Sequence, residues 1–216
     1  MKLFYINSII FASIFFLNYF YRYKISKFLN IIDKPDKKKK LHKKEVPLNG
    51  GIWFFFLIII FAIEDLIFNN ILNDNISTII LASFLMFILG LKDDSRSINP
   101  NLRLCFYFLI FFIICETNEL FKLETIYFES INLKINTYFL SSLFSAFCLT
   151  AFVNSINLVD GINALANTIL AVMLSFLYFI FLEKNLIISF LIILLFLNSI
   201  IIYRGIYFLG DSGSIG

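Results

Sequence analysis

The sequence predicts an all-α fold: a bundle of about seven membrane-spanning helices with the amino terminus outside and the carboxyl terminus in the cytoplasm. Of its 216 residues, 60% are hydrophobic, and the mean hydropathy is +0.87; both values are typical of integral membrane proteins. The apolar residues also form discrete runs separated by short polar stretches. These runs cover 3–21, 48–63, 77–91, 102–115, 138–153, 165–182 and 186–203. We therefore expect one integral-membrane domain over residues 1–216.

The lengths of the runs decide how each is interpreted. A full crossing takes about 20 residues, with about 17 as the lower limit, and the first, sixth and seventh runs satisfy that. The run 102–115 is shorter, and on length alone a re-entrant segment remains open. The first run follows a single lysine and lacks an A-x-A-like site, which favours a retained helix over a signal peptide. The polar, alternating segment 116–137 predicts a short external hairpin.

The distribution of charge predicts the orientation. The segment 22–45 contains ten Lys and Arg residues against three acidic ones, a bias that places it in the cytoplasm. Seven crossings then place 92–101, 154–164 and 204–216 on the same side. The lysines of 37–40 have a simpler explanation as a topogenic cluster that touches anionic lipid headgroups.

The acidic residues near these cytoplasmic loops are the strongest functional signal. They occur in three short stretches, "LGLKDDSRS" with Asp93 and Asp94, "NSINLVDGINALA" with Asp160, and "FLGDSGS" with Asp211. A carboxylate at the bilayer centre costs about 2.5–3.5 kcal/mol, so these groups belong at helix ends or in a wet cavity. If all three stretches face one side, they can form one polyanionic, metal-binding site.

The acidic pair opposes the dipole at the carboxyl end of its helix and needs compensation. Lys92, Arg96 or Arg103 could provide it by simple charge pairing, and so could a metal ion or a substrate proton. Adjacent carboxylates on a helix point in different directions, so we expect different roles for the two.

The second stretch places polar side chains at intervals of three residues. Asn154, Asn157 and Asp160 share one helical face, and Gly161 and Asn163 follow. Such a set indicates a common pocket. The alternative is interhelical hydrogen bonding, worth about 0.6 kcal/mol per pair in membranes.

Two further segments suggest phosphate binding. In "GDSGS", Gly210 and Gly213 would let the backbone approach a ligand, and exposed N–H groups could hold phosphate oxygens. In the basic loop, His42 precedes a turn that Gly50 and Gly51 permit, and it could donate a hydrogen bond to an anion.

The chemistry of the set favours a hard metal ion. Carboxylate and amide oxygens suit Mg²⁺, which takes few protein ligands and shares its shell with water and phosphates. The sequence has no Cys/His cluster typical of zinc, no G-x-S-x-G elbow and no GxxxxGK[ST] phosphate loop.

Four blocks in this order resemble the polyprenyl-phosphate N-acetylhexosamine-1-phosphate transferase family. They are "DKP…H…PLNGG" (33–51), "LGLKDD" (89–94), "NSINLVDGINAL" (154–165) and "FLGDSGS" (208–214). The family includes undecaprenyl-phosphate N-acetylglucosamine-1-phosphate transferases and phospho-N-acetylmuramoyl-pentapeptide translocases. The resemblance implies a Mg²⁺-dependent enzyme, with Mn²⁺ as an alternative, that transfers a sugar-1-phosphate from a UDP-sugar to undecaprenyl phosphate and releases UMP.

The resemblance also implies roles for individual residues. The catalytic positions match Asp93, Asp94 and Asp160, and the metal ligands match Asn157 and Asp211. Asn198 resembles an asparagine that precedes the "FLGD" block. The expected substrate-binding residues are His42, Asn154, Gly161, Asn163 and Ser212.

The implied partners are a UDP-N-acetylhexosamine, undecaprenyl phosphate and the lipid bilayer; a homodimer is compatible with the resemblance, and no nucleic acid is expected. The implied location is a bacterial inner membrane with the active site on the cytoplasmic face, in cell-wall or lipopolysaccharide biosynthesis.

Two alternatives stay open at this point. The family continues with further helices and a His-x-His loop, whereas this sequence stops at Gly216, so we expect a chain that lacks the carboxyl-terminal helices; an inactive remnant of the enzyme is then one alternative. The other is a small transporter, which predicts polar residues spread through the depth of the spans.

Overall fold

The structure is a computed structural model, and it describes residues 2–35, 44–64, 74–160, 164–180 and 186–215. Within these residues it contains seven helices of 13 residues or more and one short helix. They are α1 (Lys2–Leu29), α2 (Ile52–Glu64), α3 (Asp74–Ser95), α4 (Pro100–Thr117), α5 (Ser141–Asp160), α6 (Leu165–Ile180), α7 (Leu186–Tyr203) and α8 (Asp211–Ile215). The prediction of a mostly helical fold is confirmed.

Each predicted apolar run overlaps one of the seven longer helices. Among the described residues, Pro100–Thr117 and Tyr138–Asp160 are long and apolar enough to cross a membrane by length and composition. The doubtful fourth run thus lies within a helix of 18 residues, because Pro100 and Thr117 extend it beyond the apolar core. Its first turn is well specified: the Asn99 side chain accepts a hydrogen bond from the N–H of Asn101, and proline suits the first helical position.

Two small antiparallel sheets accompany the helices. Strands β1 (Ile32–Asp33) and β2 (Val46–Pro47) pair across the basic loop, a pairing that the sequence did not predict. Strands β3 (Thr125–Phe128) and β4 (Leu133–Asn136) form the hairpin predicted between the fourth and fifth runs. Short 3-10 helices, at Glu119–Phe121, Glu129–Ile131 and Tyr138–Leu140, flank and connect these strands.

The helices pack mainly in pairs, with α4 against α5, α6 against α7 and α3 against α8. A cluster of Phe11, Phe15, Trp53, Leu57 and Leu194 joins α1, α2 and α7. A second cluster, containing Met86, Tyr107 and Ile215, joins α3 and α4 to the short α8. The second cluster holds α8 against α3 and α4.

The backbone of the turn before α2 pairs with the segment before α8. The N–H of Phe208 donates to the carbonyl of Pro47, and the N–H groups of Gly50 and Gly51 donate to the carbonyls of Phe208 and Leu209. A Cβ atom on Gly51 would lie 2.1 Å from the Cα of Gly213. The two glycines do form a turn, as predicted, but close approach of another backbone explains them better than the turn itself.

Candidate functional site

The carboxyl end of α3 presents its two carboxylates to different partners, as the sequence predicted. Asp93 is buried; it accepts a hydrogen bond of 2.6 Å from the N–H of Ile98 and forms an ion pair with Arg103. Asp94 points instead toward α8. The charge pairing expected for Asp93 therefore exists, and of the three candidate cations Arg103 provides it.

Asp94 caps the start of α8. Its Oδ1 accepts from the N–H of Asp211 at 2.8 Å, and its Oδ2 accepts from the N–H of Ser212 at 2.9 Å. The next two N–H groups, those of Gly213 and Ser214, donate to the carbonyl of Gly210. The protein itself thus uses all four donors in this structure, and the expectation that N–H groups here hold phosphate stays a prediction.

Gly210 and Gly213 nevertheless have a geometric role. Gly210 has a φ of +78°, a left-handed conformation that favours glycine. A Cβ atom there would also lie 2.8 Å from an oxygen of Asp94. Gly213 permits the contact with the turn before α2. Gly210 thus lets α8 begin directly against the Asp94 carboxylate, and Gly213 lets it pack against the turn before α2.

The carboxyl end of α5 meets α8 from the other side. Asn157 is buried, and its Nδ2 donates to Oδ1 of Asp211 at 2.7 Å and to Oγ of Ser214 at 3.3 Å. Asn154 and Asp160 lie one helical turn before and after Asn157, and both are half-buried. The structure thus brings together Asp94, Asn157 and Asp211, which lie in three separate segments of the sequence.

Arg103 connects this group to Asp93. Its NH1 atom contacts Oδ2 of Asp93 and lies 3.6 Å from Oδ2 of Asp211. Its Nε atom is buried and has no hydrogen-bond partner among the described residues. Arg103 is the cation that partly neutralises the carboxylates, and its position one turn into α4 follows from the Asn99–Pro100 start of that helix.

The electrostatics of Asp211 reflect this crowding. Burial raises its pKa from 3.8 to about 6; the neighbouring Asp93 adds to the rise, whereas the hydrogen bond from Asn157 and the charge of Arg103 oppose it. A buried carboxylate with acidic neighbours is the kind of group that a bound cation would stabilise.

The remaining sequence-predicted residues divide into two groups. Ser212 is buried, and its Oγ has no partner among the described residues. His42, Gly161 and Asn163 lie outside the described residues, so their predicted roles remain predictions.

The side chains present fit a magnesium ion better than a zinc ion. Within the described ranges, no cluster of three or more His, Cys, Asp or Glu side chains could hold a metal. Mg²⁺, however, is usually held by one or two carboxylates together with water and substrate phosphates. Asp211 supplies a carboxylate, and rotating the amide of Asn157 by half a turn would place its oxygen beside it.

Comparison with known families identifies the chain. The model of the family described as glycosyl transferase family 4 matches residues 76–216, a range that includes Asp93, Asp94, Arg103, Asn157 and Asp211. The chain belongs to glycosyl transferase family 4. The matched range begins after the basic loop and therefore rests on the acidic stretches and the helices between them.

Proteins similar to this family 4 chain include phospho-N-acetylmuramoyl-pentapeptide-transferases. The protein of Streptococcus gordonii is 25% identical over 197 residues, which cover 83% of this chain and 59% of the relative. The protein of Streptococcus pneumoniae serotype 19F is 26% identical over 151 residues, covering 65% of this chain and 44% of the relative. The chain thus spans about half the length of the relatives that it matches.

The sequence of this family 4 protein did not predict two pairs of hydrogen-bonded asparagines near the site. Asn18 and Asn49, both buried, exchange hydrogen bonds: Nδ2 of Asn18 donates to the carbonyl of Asn49, and Nδ2 of Asn49 donates to Oδ1 of Asn18 at 2.9 Å. Asn167 and Asn198 form a second pair between α6 and α7. An asparagine inside or beside an apolar run was the available signal, since a buried amide needs partners.

Proposed function

We propose that this protein transfers a sugar-1-phosphate from a UDP-sugar to undecaprenyl phosphate and releases UMP. The observation that carries the proposal is the convergence of Asp94, Asn157 and Asp211 at one point, in a chain of glycosyl transferase family 4. Carboxylate and amide oxygens at one point suit phosphoryl transfer, because that chemistry depends mainly on positioning and on neutralising charge.

The proposed reaction is an in-line displacement. An oxygen of the lipid phosphate attacks the phosphorus that carries the sugar; the bond from that phosphorus to the oxygen of UMP breaks, and UMP leaves with the electron pair. A phosphate monoester has a second pKa near 6, so most of the acceptor is already dianionic at pH 7. Repulsion between the anionic substrates and the carboxylates is therefore the larger obstacle.

The residues of the chain divide this work in the proposal. Asn157 and Asp211 would hold Mg²⁺, or Mn²⁺ in its place, and the metal would stabilise charge on the transferred phosphate. Arg103 limits repulsion between Asp93 and Asp211. Asp94 holds the start of α8, so Asp211 stays beside Asn157.

The predicted action of the acidic pair on the lipid phosphate remains part of the proposal. Asp94 or Asp93 would orient or deprotonate the acceptor, and Asp160, with Asn163 and Asn154, would bind the nucleotide sugar. If Asp94 removes a proton, the rate deficit of Asp94→Asn should shrink between pH 6 and pH 8, where the acceptor loses that proton unaided. If Asp94 only positions α8, the deficit should be independent of pH. Full turnover of the variant over that range would refute both roles.

The setting of the reaction is proposed with it. Seven crossings with the amino terminus outside would place the site on the cytoplasmic face of a bacterial inner membrane, where UDP-sugars are available. The product would begin a cell-envelope glycan. Clustering of the described site residues at helix ends favours this proposal over a transporter, whose polar residues would follow the depth of the spans.

The name of the relatives adds a second candidate for the sugar that the donor carries. N-acetylglucosamine or another N-acetylated hexosamine is the first candidate, and N-acetylmuramoyl-pentapeptide is the second, because the similar streptococcal proteins carry that name. Both donors fit the same transfer of a sugar phosphate to a lipid phosphate.

The test is UMP release in purified membranes that contain the chain. We expect release that requires undecaprenyl phosphate and Mg²⁺, is abolished by EDTA and is restored by added Mg²⁺ or Mn²⁺. UDP-N-acetylglucosamine and UDP-N-acetylmuramoyl-pentapeptide are supplied in parallel to identify the donor. Asp211→Asn serves as the inactive comparison. No release with either donor, from protein that remains folded, would favour the inactive remnant instead.

A further inference from the structure

The segment between α7 and α8 is fixed at both ends. At α7, the N–H of Gly205 donates to the carbonyl of Ile202, and the N–H of Ile206 donates to the carbonyl of Ile201. This pattern, with Gly205 at a φ of +64°, is a Schellman cap. At the other end, Gly210 adopts the second left-handed conformation and Asp211 begins α8. The position of Asp211 therefore depends on four intervening residues, 206–209.

A chain of buried hydrogen bonds joins this segment to two long helices. The hydroxyl of Tyr207 donates to Oδ1 of Asn198 at 2.5 Å, and Nδ2 of Asn198 donates to Oδ1 of Asn167 at 3.0 Å. Nδ2 of Asn167 in turn donates to Oγ of Ser199 and to the carbonyl of Leu195. The chain thus runs from α6 through α7 to a residue four positions before Asp211.

Every member of this chain is withdrawn from solvent. Asn167, Asn198 and Tyr207 are 2%, 1% and 0% exposed. Buried amides are costly unless they are paired, and the contacts above satisfy both amides. A pair of asparagines would be enough to link α6 to α7. The bond from Tyr207 has a different role, because it connects the segment before α8 to that pair.

Packing alone leaves this region incompletely filled. Leu209, Gly213 and Ser214 line a cavity of about 280 Å³, and Asn167 and Asn198 line it as well. The cavity thus lies beside Leu209 and α8 as well as beside the asparagine pair. Directional hydrogen bonds can fix a segment where contacts are missing.

We propose that Asn167, Asn198 and Tyr207 are positioning residues that hold Asp211 beside Asn157. The inference rests on the proposed function only for the claim that Asp211 and Asn157 take part in the reaction. The hydroxyl of Tyr207 holds residues 206–209 in place relative to α6 and α7. α8 then begins at a position where Asp211 can contact both Asp94 and Asn157. Loss of the hydroxyl leaves the ring in its apolar cluster and the backbone bonds of Phe208 and Leu209 in place, but it removes the link from this segment to α6 and α7.

The first experiment measures amide hydrogen exchange of the whole chain in detergent. Tyr207→Phe should speed exchange of the N–H groups of residues 211–214 by about 2- to 10-fold, the range expected for one lost hydrogen bond. Exchange in the middle of α5 should stay unchanged, because local opening leaves other helices protected.

Tyr107→Phe is the matched control. Tyr107 is also 0% exposed and its ring shares a cluster with Ile215 of α8, but its hydroxyl has no hydrogen-bond partner among the described residues, so the change keeps the ring and breaks no bond. The same atom is removed from an equally buried ring, so exchange at 211–214 should not change. Unchanged exchange in Tyr207→Phe, or an equal rise in both variants, would overturn the proposal.

A second variant covers the case in which Tyr207→Phe folds poorly. Asn198→Ala removes the acceptor from the same bond and should raise exchange at 211–214 in the same way. Asn198→Ala also removes the bond to Asn167, so the comparison is made in that background: adding Tyr207→Phe should raise exchange little further, because the bond from Tyr207 is already lost. Fully additive effects would mean that the two residues act separately, against the proposal.

The last readout separates the positioning role from the reaction itself. Tyr207→Phe should raise the Mg²⁺ concentration for half-maximal UMP release by about 2- to 10-fold, with a smaller effect on the Michaelis constant for the lipid. Faster exchange with an unchanged Mg²⁺ requirement would overturn the positioning role. If the unaltered protein releases no UMP while the exchange result holds, the proposed function fails and the structural link to Asp211 stands.

Discussion

Asp94 and Asp211 are 117 positions apart in the sequence, yet the carboxylate of the first accepts a hydrogen bond of 2.8 Å from the N–H of the second. A second bond, from the N–H of Ser212, makes the contact two-pronged. The last turn of α3 therefore sets where α8 begins. The carboxylate of Asp94 thus holds Asp211 through the backbone N–H of Asp211 rather than through a ligand that the two side chains share.

Replacing Asp94 by asparagine should destabilise the protein. The amide turns one acceptor oxygen into a donor that faces an N–H group, and a hydrogen bond to a charged group is worth about 1.5–3 kcal/mol. We expect a lower melting temperature in detergent together with faster proteolysis around α8. Glu129→Gln, a charge removal at an exposed position of the hairpin, should leave both unchanged. Equal stability of the two variants would contradict the capping role.

Gly51→Ala should separate two segments that are now in contact. The added Cβ atom would lie 2.1 Å from the Cα of Gly213, and overpacking of this kind costs about 1–3 kcal/mol. The melting temperature should fall, and the proposed UMP release should fall with it because α8 is displaced. Gly205→Asn is the control: nothing lies within 4 Å of its Cβ, and asparagine tolerates its left-handed backbone. A Gly51→Ala protein as stable as this control would exclude the close contact.

Arg103→Met should harm the protein more than Arg103→Lys. Methionine leaves the buried Asp93 carboxylate without its cation, and removing one partner of a buried pair costs about 3–5 kcal/mol. Lysine keeps the charge but loses the planar fork, so we expect partial recovery. Stability is measured by thermal unfolding, with Arg96→Met, at an exposed position, as the comparison. The expectation fails if the two methionine variants melt together.

The stability of the metal-free protein should depend on pH through Asp211. Its pKa is about 6 in the folded protein, raised by burial from 3.8, so the folded form holds the proton more tightly than the unfolded chain. This carboxyl therefore adds stability that is complete below pH of about 4 and is lost as the pH rises through about 6. With EDTA present, the free energy of unfolding should be lower at pH 7.5 than at pH 5. Asp211→Asn should reduce that difference; a variant with the same pH dependence would rule out this cause.

The helices and the site residues differ in how far the sequence could predict them. Seven apolar runs predicted seven helices because long apolar stretches have few alternatives. The hairpin of β3 and β4 could also be predicted from the sequence, because its polar residues alternate with apolar ones. The pairing of Ile32–Asp33 with Val46–Pro47 was not, since two-residue strands leave no periodic pattern.

The site was predictable as a set of residues but not as a set of contacts. Spacing indicated that Asn157 belongs to a polar face, and the glycines around Asp211 indicated close approach. The sequence could not tell that Asp94 would use the N–H groups of α8, because that choice depends on the relative height of α3 and α8. It also offered three cations for Asp93, and only packing selects Arg103.

The hydrogen bonds between Pro47 and Phe208, and between Gly51 and Leu209, have a consequence for folding. Long-range contacts form slowly, because a large loop must close before they contribute. A chain made from its amino terminus would complete its first helices long before residues 208–213 exist to meet them. Until α3 to α7 have been made, the backbone donors of the turn before α2 lack their partners in the later segment and must be hydrated instead. The contacts around Asp211 would accordingly form only after those helices, and a change that delays them would expose that turn to misfolding or degradation.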